Sequence, residues 1–186
     1  RATARHCAIR TAAIMRRQVT LLPQSRASQT LLRIAGEFPG SYALTDRGDA
    51  IEGIDSVSIE LRGDQAPWPM DIPRIPTDRV VAVAFTSGST GRPVPNKKTW
   101  GALTAVAQAT GARLGIKAGD RRSVVATVPH QHMFGLEASV MLPIMHGLAM
   151  HAGRPLFPAD IRSVLADAAN GWMLVTTPLH LRACVS

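Results

Sequence analysis

Thr86-Ser87-Gly88-Ser89-Thr90-Gly91-Arg92-Pro93 follows an apolar, β-branched run, Val80 to Phe85, and precedes a helical pattern that begins near Lys97. The order predicts a buried strand, a loop rich in hydroxyls and glycine, and then a helix from Lys97 to Leu114. Small side chains let a polyanion approach the backbone, while N–H groups and hydroxyls supply donors for phosphate oxygens. Two other loop chemistries fail on spacing. The nucleoside-triphosphate P-loop would need a second glycine where Pro93 stands. The hydrolase nucleophile elbow needs glycines four apart, and Gly88 and Gly91 are three apart.

Working outward, the C-terminal part alternates strand and helix patterns. Ser123 to Val128 reads as a continuous apolar strand, Met133 to Leu148 as a helix kinked or divided by Pro143, and Ala149 to His151 as a short strand. Pro158 to Ala169 reads as a helix with Asp160 near its start, where a negative charge suits the dipole. Trp172 to Thr176 reads as a strand, and Thr177-Pro178 opens a final helix. Such alternation predicts an α/β fold with a mostly parallel sheet flanked by helices. Upstream, Thr11 to Gln18 and Ser28 to Phe38 have helical spacing, and Ser41 to Thr45 and Ser56 to Leu61 read as strands. Val19 to Pro23 is too short to classify. Ala66 to Thr77 carries Pro67, Pro69, Pro73 and Pro76, the mark of an irregular connector. The expected division is therefore a variable part, 1–79, and a βαβ core, 80–186.

The chain has 186 residues, enough for one substantial core, and its 46% hydrophobic and 18% charged residues describe a folded protein. It begins at Arg1 and ends at Ser186 just past an apolar run, so both ends read as cuts within a longer protein. The basic, Ala-rich start reads as an exposed helix face rather than a transit peptide. Ala138 to Met150 is too short to span a bilayer. Cys7 and Cys184 form no Cys-x-x-Cys pair and suggest a reducing, cytoplasmic setting. The net charge of +8 is scattered, and 4% aromatic residues are too few for base-stacking platforms, which argues against nucleic-acid binding. A mild positive field suits an anionic nucleotide substrate.

A second informative stretch is Pro129-His130-Gln131-His132-Met133-Phe134-Gly135-Leu136. It directly follows a strand's carboxyl end, where open α/β sheets place their ligands. His130 and His132 have no Cys or acidic partner at ligand spacing, so no metal site is expected.

The loop Thr-Ser-Gly-Ser-Thr-Gly-x-Pro resembles the phosphate-binding loop of the AMP-forming acyl- and aryl-CoA synthetases, luciferases and peptide-synthetase adenylation domains. Pro129, His132, Gly135 and Leu136 match that family's Pro-x-x-His-x-x-Gly-Leu segment, and Val175 to Pro178 is similar to its strand-to-helix segment ending in Pro. The likeness runs from about Val80 to Arg182. It implies part of the large N-terminal domain of an adenylate-forming enzyme. By the resemblance, Thr86, Ser87, Gly88, Ser89, Thr90 and Gly91 bind ATP and its pyrophosphate, and His132, Phe134 and Gly135 line the acyl pocket. His130 reads as incidental. Family members mostly place Lys after the loop's Pro, and this chain has Val94; Lys97 or Lys98 could supply the cation. An uncharged residue there is similar to a branch associated with aryl-polyene and xanthomonadin pigments.

The resemblance implies a two-step ligase. A carboxylate attacks the α-phosphate of ATP, brought with Mg2+, giving an acyl-adenylate and pyrophosphate; a thiol of CoA or of a carrier-protein phosphopantetheine then displaces AMP. The implied partners are a small carboxylic acid and, as a second acceptor, an acyl carrier protein. No catalytic side chain is expected within this stretch, since the family's nucleotide-recognition segments and catalytic Lys lie further on, and the stretch alone should be nearly inactive. Two other readings stand beside it: a non-catalytic truncated relative that binds a nucleotide or a partner, and an unrelated nucleotide- or phosphosugar-binding α/β domain.

Overall fold

The computed structural model describes residues 11–45, 50–59, 73–87, 93–167 and 170–185. Residues 11–15 are helical and lead into strand β1, Thr20–Leu22. Helix α1 (Ser28–Glu37) and the short strands β2 (Ala43–Thr45) and β3 (Ser56–Ser58) follow. Then come β4 (Val80–Ser87), β5 (Pro93–Thr99) and α2 (Trp100–Arg113). After β6 (Ser123–Ala126), one helical stretch runs through α3 (Met133–Leu136), a π-helical segment (Glu137–Met141) and α4 (Leu142–His146). The chain continues with β7 (Ala149–Met150), α5 (Pro158–Ala166), β8 (Trp172–Val175) and α6 (Pro178–Val185).

The strands form three small sheets, ordered β1-β4-β5, β2-β3 and β7-β6-β8. Every pairing among the described residues is parallel except β4 with β5. The mostly parallel α/β architecture read from strand–helix alternation is therefore what the chain adopts. Strand β4 is buried on both faces, which explains its run of Val, Ala and Phe without alternation. On one face Val83 and Phe85 pack with Ile34 and Phe38 of the α1 layer, the Phe85 and Phe38 rings meeting edge to face at 5.9 Å. On the other, Val81 and Ala82 join Leu103 and Ala107 of α2 and Leu136, Val140 and Met141. A second core gathers Val124, Ala126 and Val128 with Leu148 and Val175.

One expectation is overturned. The residues after the loop do not enter a helix at Lys97: β5 occupies Pro93–Thr99, antiparallel to β4, and α2 starts at Trp100. Pro93 and Pro95 explain the delay. Proline disfavours a helical conformation in the residue before it and cannot donate to a ladder, but an edge strand tolerates it when its ring faces away from the pairing. Thr99 then caps the helix, its hydroxyl accepting from the Ala102 N–H at 3.2 Å. The stretch read as a helix kinked or divided by Pro143, Met133 to Leu148, is also interrupted by the π segment. Leu142 N–H bonds back to Glu137 O, and Pro143 begins a fresh α-turn at the N-terminus of α4, where its missing N–H matters least. Smaller differences are that Thr20–Leu22 is a strand, that β3 and β6 stop at Ser58 and Ala126, and that α5 ends at Ala166. The proline-rich connector 66–77 lies largely outside the described residues.

Just before β6, Asp120 accepts from the Arg122 guanidinium at 2.6 and 3.0 Å and from the Arg122 N–H at 3.0 Å. These hydrogen bonds, side chain first, hold the Asp120 carboxyl below its ordinary range and raise the Arg122 guanidinium. Among the described residues no helix is long and apolar enough to cross a membrane.

Candidate functional site

Of the residues that the sequence assigns to a phosphate-binding loop, Thr86 and Ser87 are the last two of β4. Thr86 pairs with Val94 and Ser87 with Pro93, so the last rungs of the ladder bracket 88–92. Gly88, Ser89, Thr90 and Gly91 lie outside the described residues. Thr86 is exposed, with its backbone fixed by the strand, so its hydroxyl is presented from a rigid support. Lys97 and Lys98 stand opposite Val83 and Ala82. Residues directly opposite share a face, so Lys97 projects to the α1 side and Lys98 to the α2 side. Lys97 lies four steps along the strand from Pro93, about 14 Å at the antiparallel rise.

On the α1 side a groove of about 680 Å³ is lined by Leu21, Phe38, Tyr42, Val83, Lys97 and Gln131, among others. It brings the hairpin and the Pro129–Leu136 segment to a common concavity. That segment starts from the carboxyl end of β6. His132 N–H donates to Pro129 O at 3.2 Å, and Leu136 N–H to His132 O at 2.8 Å. His132 occupies the N-cap position of α3 without a side-chain capping bond, and it is half-buried. Phe134 is 52% exposed, whereas Gly135 is buried.

Gly135 is required by close approach. A Cβ there would collide with the Pro129 carbonyl oxygen and lie 2.8 Å from its carbonyl carbon. The obstacle is backbone, which cannot swing aside. Gly135→Ala is therefore expected to lower stability by about 1–3 kcal/mol, read as a lower denaturant midpoint at unchanged slope. An unshifted midpoint would show that the segment yields freely.

Two polar clusters at this end escaped the sequence reading. The first is His130, which sequence alone treats as incidental. It is 8% exposed, with Nδ1 3.0 Å from the Ser139 hydroxyl, and Ser139 donates to Gly135 O at 2.6 Å. The second links the carboxyl ends of β6 and β8. Thr127, 1% exposed, lies 2.9 Å from Thr176 Oγ1, and its backbone N–H donates to Val175 O at 3.0 Å. His180 Nδ1 is 2.9 Å from Thr177 Oγ1 and 3.5 Å from Thr127 Oγ1. Buried hydroxyls satisfied in this way stiffen the rim on which a ligand would rest. The one available sequence signal was polarity inside apolar runs: Thr127 within a strand, Ser139 within a helix. Among the described residues no group of three or more His, Cys, Asp or Glu could hold a metal ion.

A sequence profile described as AMP-binding enzyme matches residues 8–185. A 4-coumarate–CoA ligase of Rhodobacter capsulatus is 33% identical over 135 residues, which cover 72% of this chain and 34% of that protein. Among solved structures, a malonyl-CoA ligase with methylmalonyl-CoA and AMP bound superimposes with a TM-score of 0.67 at 19% identity, over 90% of this chain and 36% of that one. The o-succinylbenzoate CoA synthetase of Bacillus subtilis in complex with ATP and magnesium ion gives 0.63 at 18% identity, over 80% and 32%. At these identities the two structural likenesses are likenesses of fold. The chain thus spans about a third of the length of the curated relative it matches. With the profile covering nearly every residue from 8 onward, the chain belongs to the AMP-binding enzyme family.

Proposed function

We propose that this chain is the part of an adenylate-forming ligase that grips the pyrophosphate of ATP and shapes one wall of the acyl pocket. The reaction is activation of a carboxylic acid to an acyl-adenylate with release of pyrophosphate, followed by transfer of the acyl group to a thiol. The observation that carries it is the β4–β5 hairpin: its ladder holds the exposed Thr86 at the end of β4, and on the α1 side Lys97 of β5 lines one groove with Gln131 of the Pro129–Leu136 segment. Membership of the AMP-binding family supports the same reading. The curated ligase at 33% identity suggests CoA as the thiol; a carrier-protein phosphopantetheine is the second acceptor in this reading.

In this reading the donors of Thr86, Ser87, Ser89 and Thr90, with the backbone at Gly88 and Gly91, face the departing pyrophosphate. Negative charge accumulates there as the carboxylate attacks, so fixed donors lower the barrier without a covalent intermediate on the protein. Mg2+ enters with the nucleotide as part of the substrate. His132, Phe134 and Gly135 contact the acyl group, and Lys97 or Lys98 offers the cation that Val94 does not. Residues 1–79 form the variable part of the domain and 80–186 its βαβ core. A cytoplasmic location, where ATP and CoA are available, is in keeping with the free thiol of Cys184.

The test is ATP–pyrophosphate exchange by the full-length polypeptide with a panel of fatty, aryl and amino acids. Exchange that requires both ATP and one acid class is expected. Folded protein that supports no exchange with any acid would overturn the reading.

A further inference from the structure

The orientation of the hydrogen bonds around Ser139 is fixed by counting protons. A serine hydroxyl has one hydrogen, and a backbone carbonyl can only accept. At 2.6 Å from Gly135 O, the Ser139 hydrogen is committed to that carbonyl. The 3.0 Å contact between Ser139 Oγ and His130 Nδ1 must then run the other way, with Nδ1–H donating to the hydroxyl oxygen. His130 and Ser139 are 8% and 1% exposed, so water is a poor substitute for either partner. Ser139 lies in the π segment, where the backbone ladder changes step, and its hydroxyl reaches back four residues. The two ends of the relay also meet through the backbone, since Gly135 packs against the Pro129 carbonyl, next to His130.

We propose that His130 is a positioning residue for the acyl pocket: through Ser139 it holds the Gly135 carbonyl and thereby fixes the His132–Gly135 turn against which the acid lies. This role presupposes the adenylation reading. The ring touches no reacting atom, so its removal acts on acid binding and leaves nucleotide binding alone.

Three variants of the full-length polypeptide separate this role from general packing. His130→Asn retains an N–H near the place of Nδ1–H, His130→Gln moves it toward the Nε2 position, and Ser139→Ala removes the relay. Loss of a buried hydrogen-bond partner is expected to raise the acid KM about tenfold in His130→Gln and Ser139→Ala, with the ATP KM changed less than about twofold. His130→Asn should stay near the parent. Amide hydrogen exchange across residues 132–136 should quicken in the same two variants and not in His130→Asn. Equal behaviour of the Asn and Gln variants overturns the proposal, as does an ATP KM that rises in step with the acid KM, or unaltered amide exchange in Ser139→Ala. If the parent shows no exchange with any acid, the adenylation reading fails. The amide-exchange pattern then still decides the relay: Asn like the parent and Gln like Ser139→Ala uphold it, and any other ordering sinks it.

Discussion

Thr86→Ala combined with Ser89→Ala is expected to slow acid-dependent ATP–pyrophosphate exchange by about a hundredfold to a thousandfold, the scale seen when one well-placed donor to a developing negative charge is removed. Folding should be nearly untouched. Thr86 is exposed, and its place in the ladder opposite Val94 depends on backbone groups that alanine keeps. Exposed substitutions of this kind change stability by about 0.5 kcal/mol or less. The two measurements, exchange rate and denaturant midpoint, must therefore separate. A double variant that exchanges at the parent's rate would remove the loop from the mechanism.

Phe85→Ala is expected to do the reverse, costing about 3–5 kcal/mol of stability, as for other large-to-small substitutions of fully buried aromatics. The side chain is 2% exposed and is wedged between β4 and α1 against Ile34, Val83 and Phe38. The loss combines the transferred surface, the cavity left behind and the edge-to-face contact with Phe38. Typical domains have about 5–15 kcal/mol in total, so the folded fraction should shrink visibly on mild heating. The check is a chemical-denaturation midpoint. A loss below about 1 kcal/mol would mean that α1 closes onto β4 and fills the space. Although Phe85 adjoins Thr86 in sequence, its side chain faces the core against Ile34 and Phe38, so any activity deficit should track the folded fraction rather than turnover per folded molecule.

How much of this was legible in advance follows from which interactions are local. Val80 to Phe85 announced a doubly buried strand because every residue is apolar and several are β-branched, and Ser123 onward did the same for β6. The phosphate-binding reading of the loop rests on eight contiguous residues, so it drew on no tertiary information. β5 could not be found this way. Pro-Val-Pro-Asn-Lys-Lys-Thr has neither alternation nor strand propensity, and it is a strand because β4 offers an open edge seven residues long. The π segment was equally hidden, since an apolar helical stretch looks the same whether its ladder steps back four residues or five. His130 and Ser139 are nine positions apart on different elements, and only the fold of the intervening turn makes them neighbours.

The antiparallel pairing of β4 with β5 also imposes a rule of odd and even. Each residue along β5 is assigned to one side of the sheet or the other by how many places it lies from the tip, which is why two consecutive lysines serve opposite layers. Gaining or losing a single residue between Pro93 and Lys97 would swap their assignments, sending Lys98 toward α1 and Lys97 into the α2 layer. A change of two would restore them. A single-residue change in this arm therefore reaches both lysines at once unless a bulge takes it up, as the irregularity between Val80 and Ala82 does on β4.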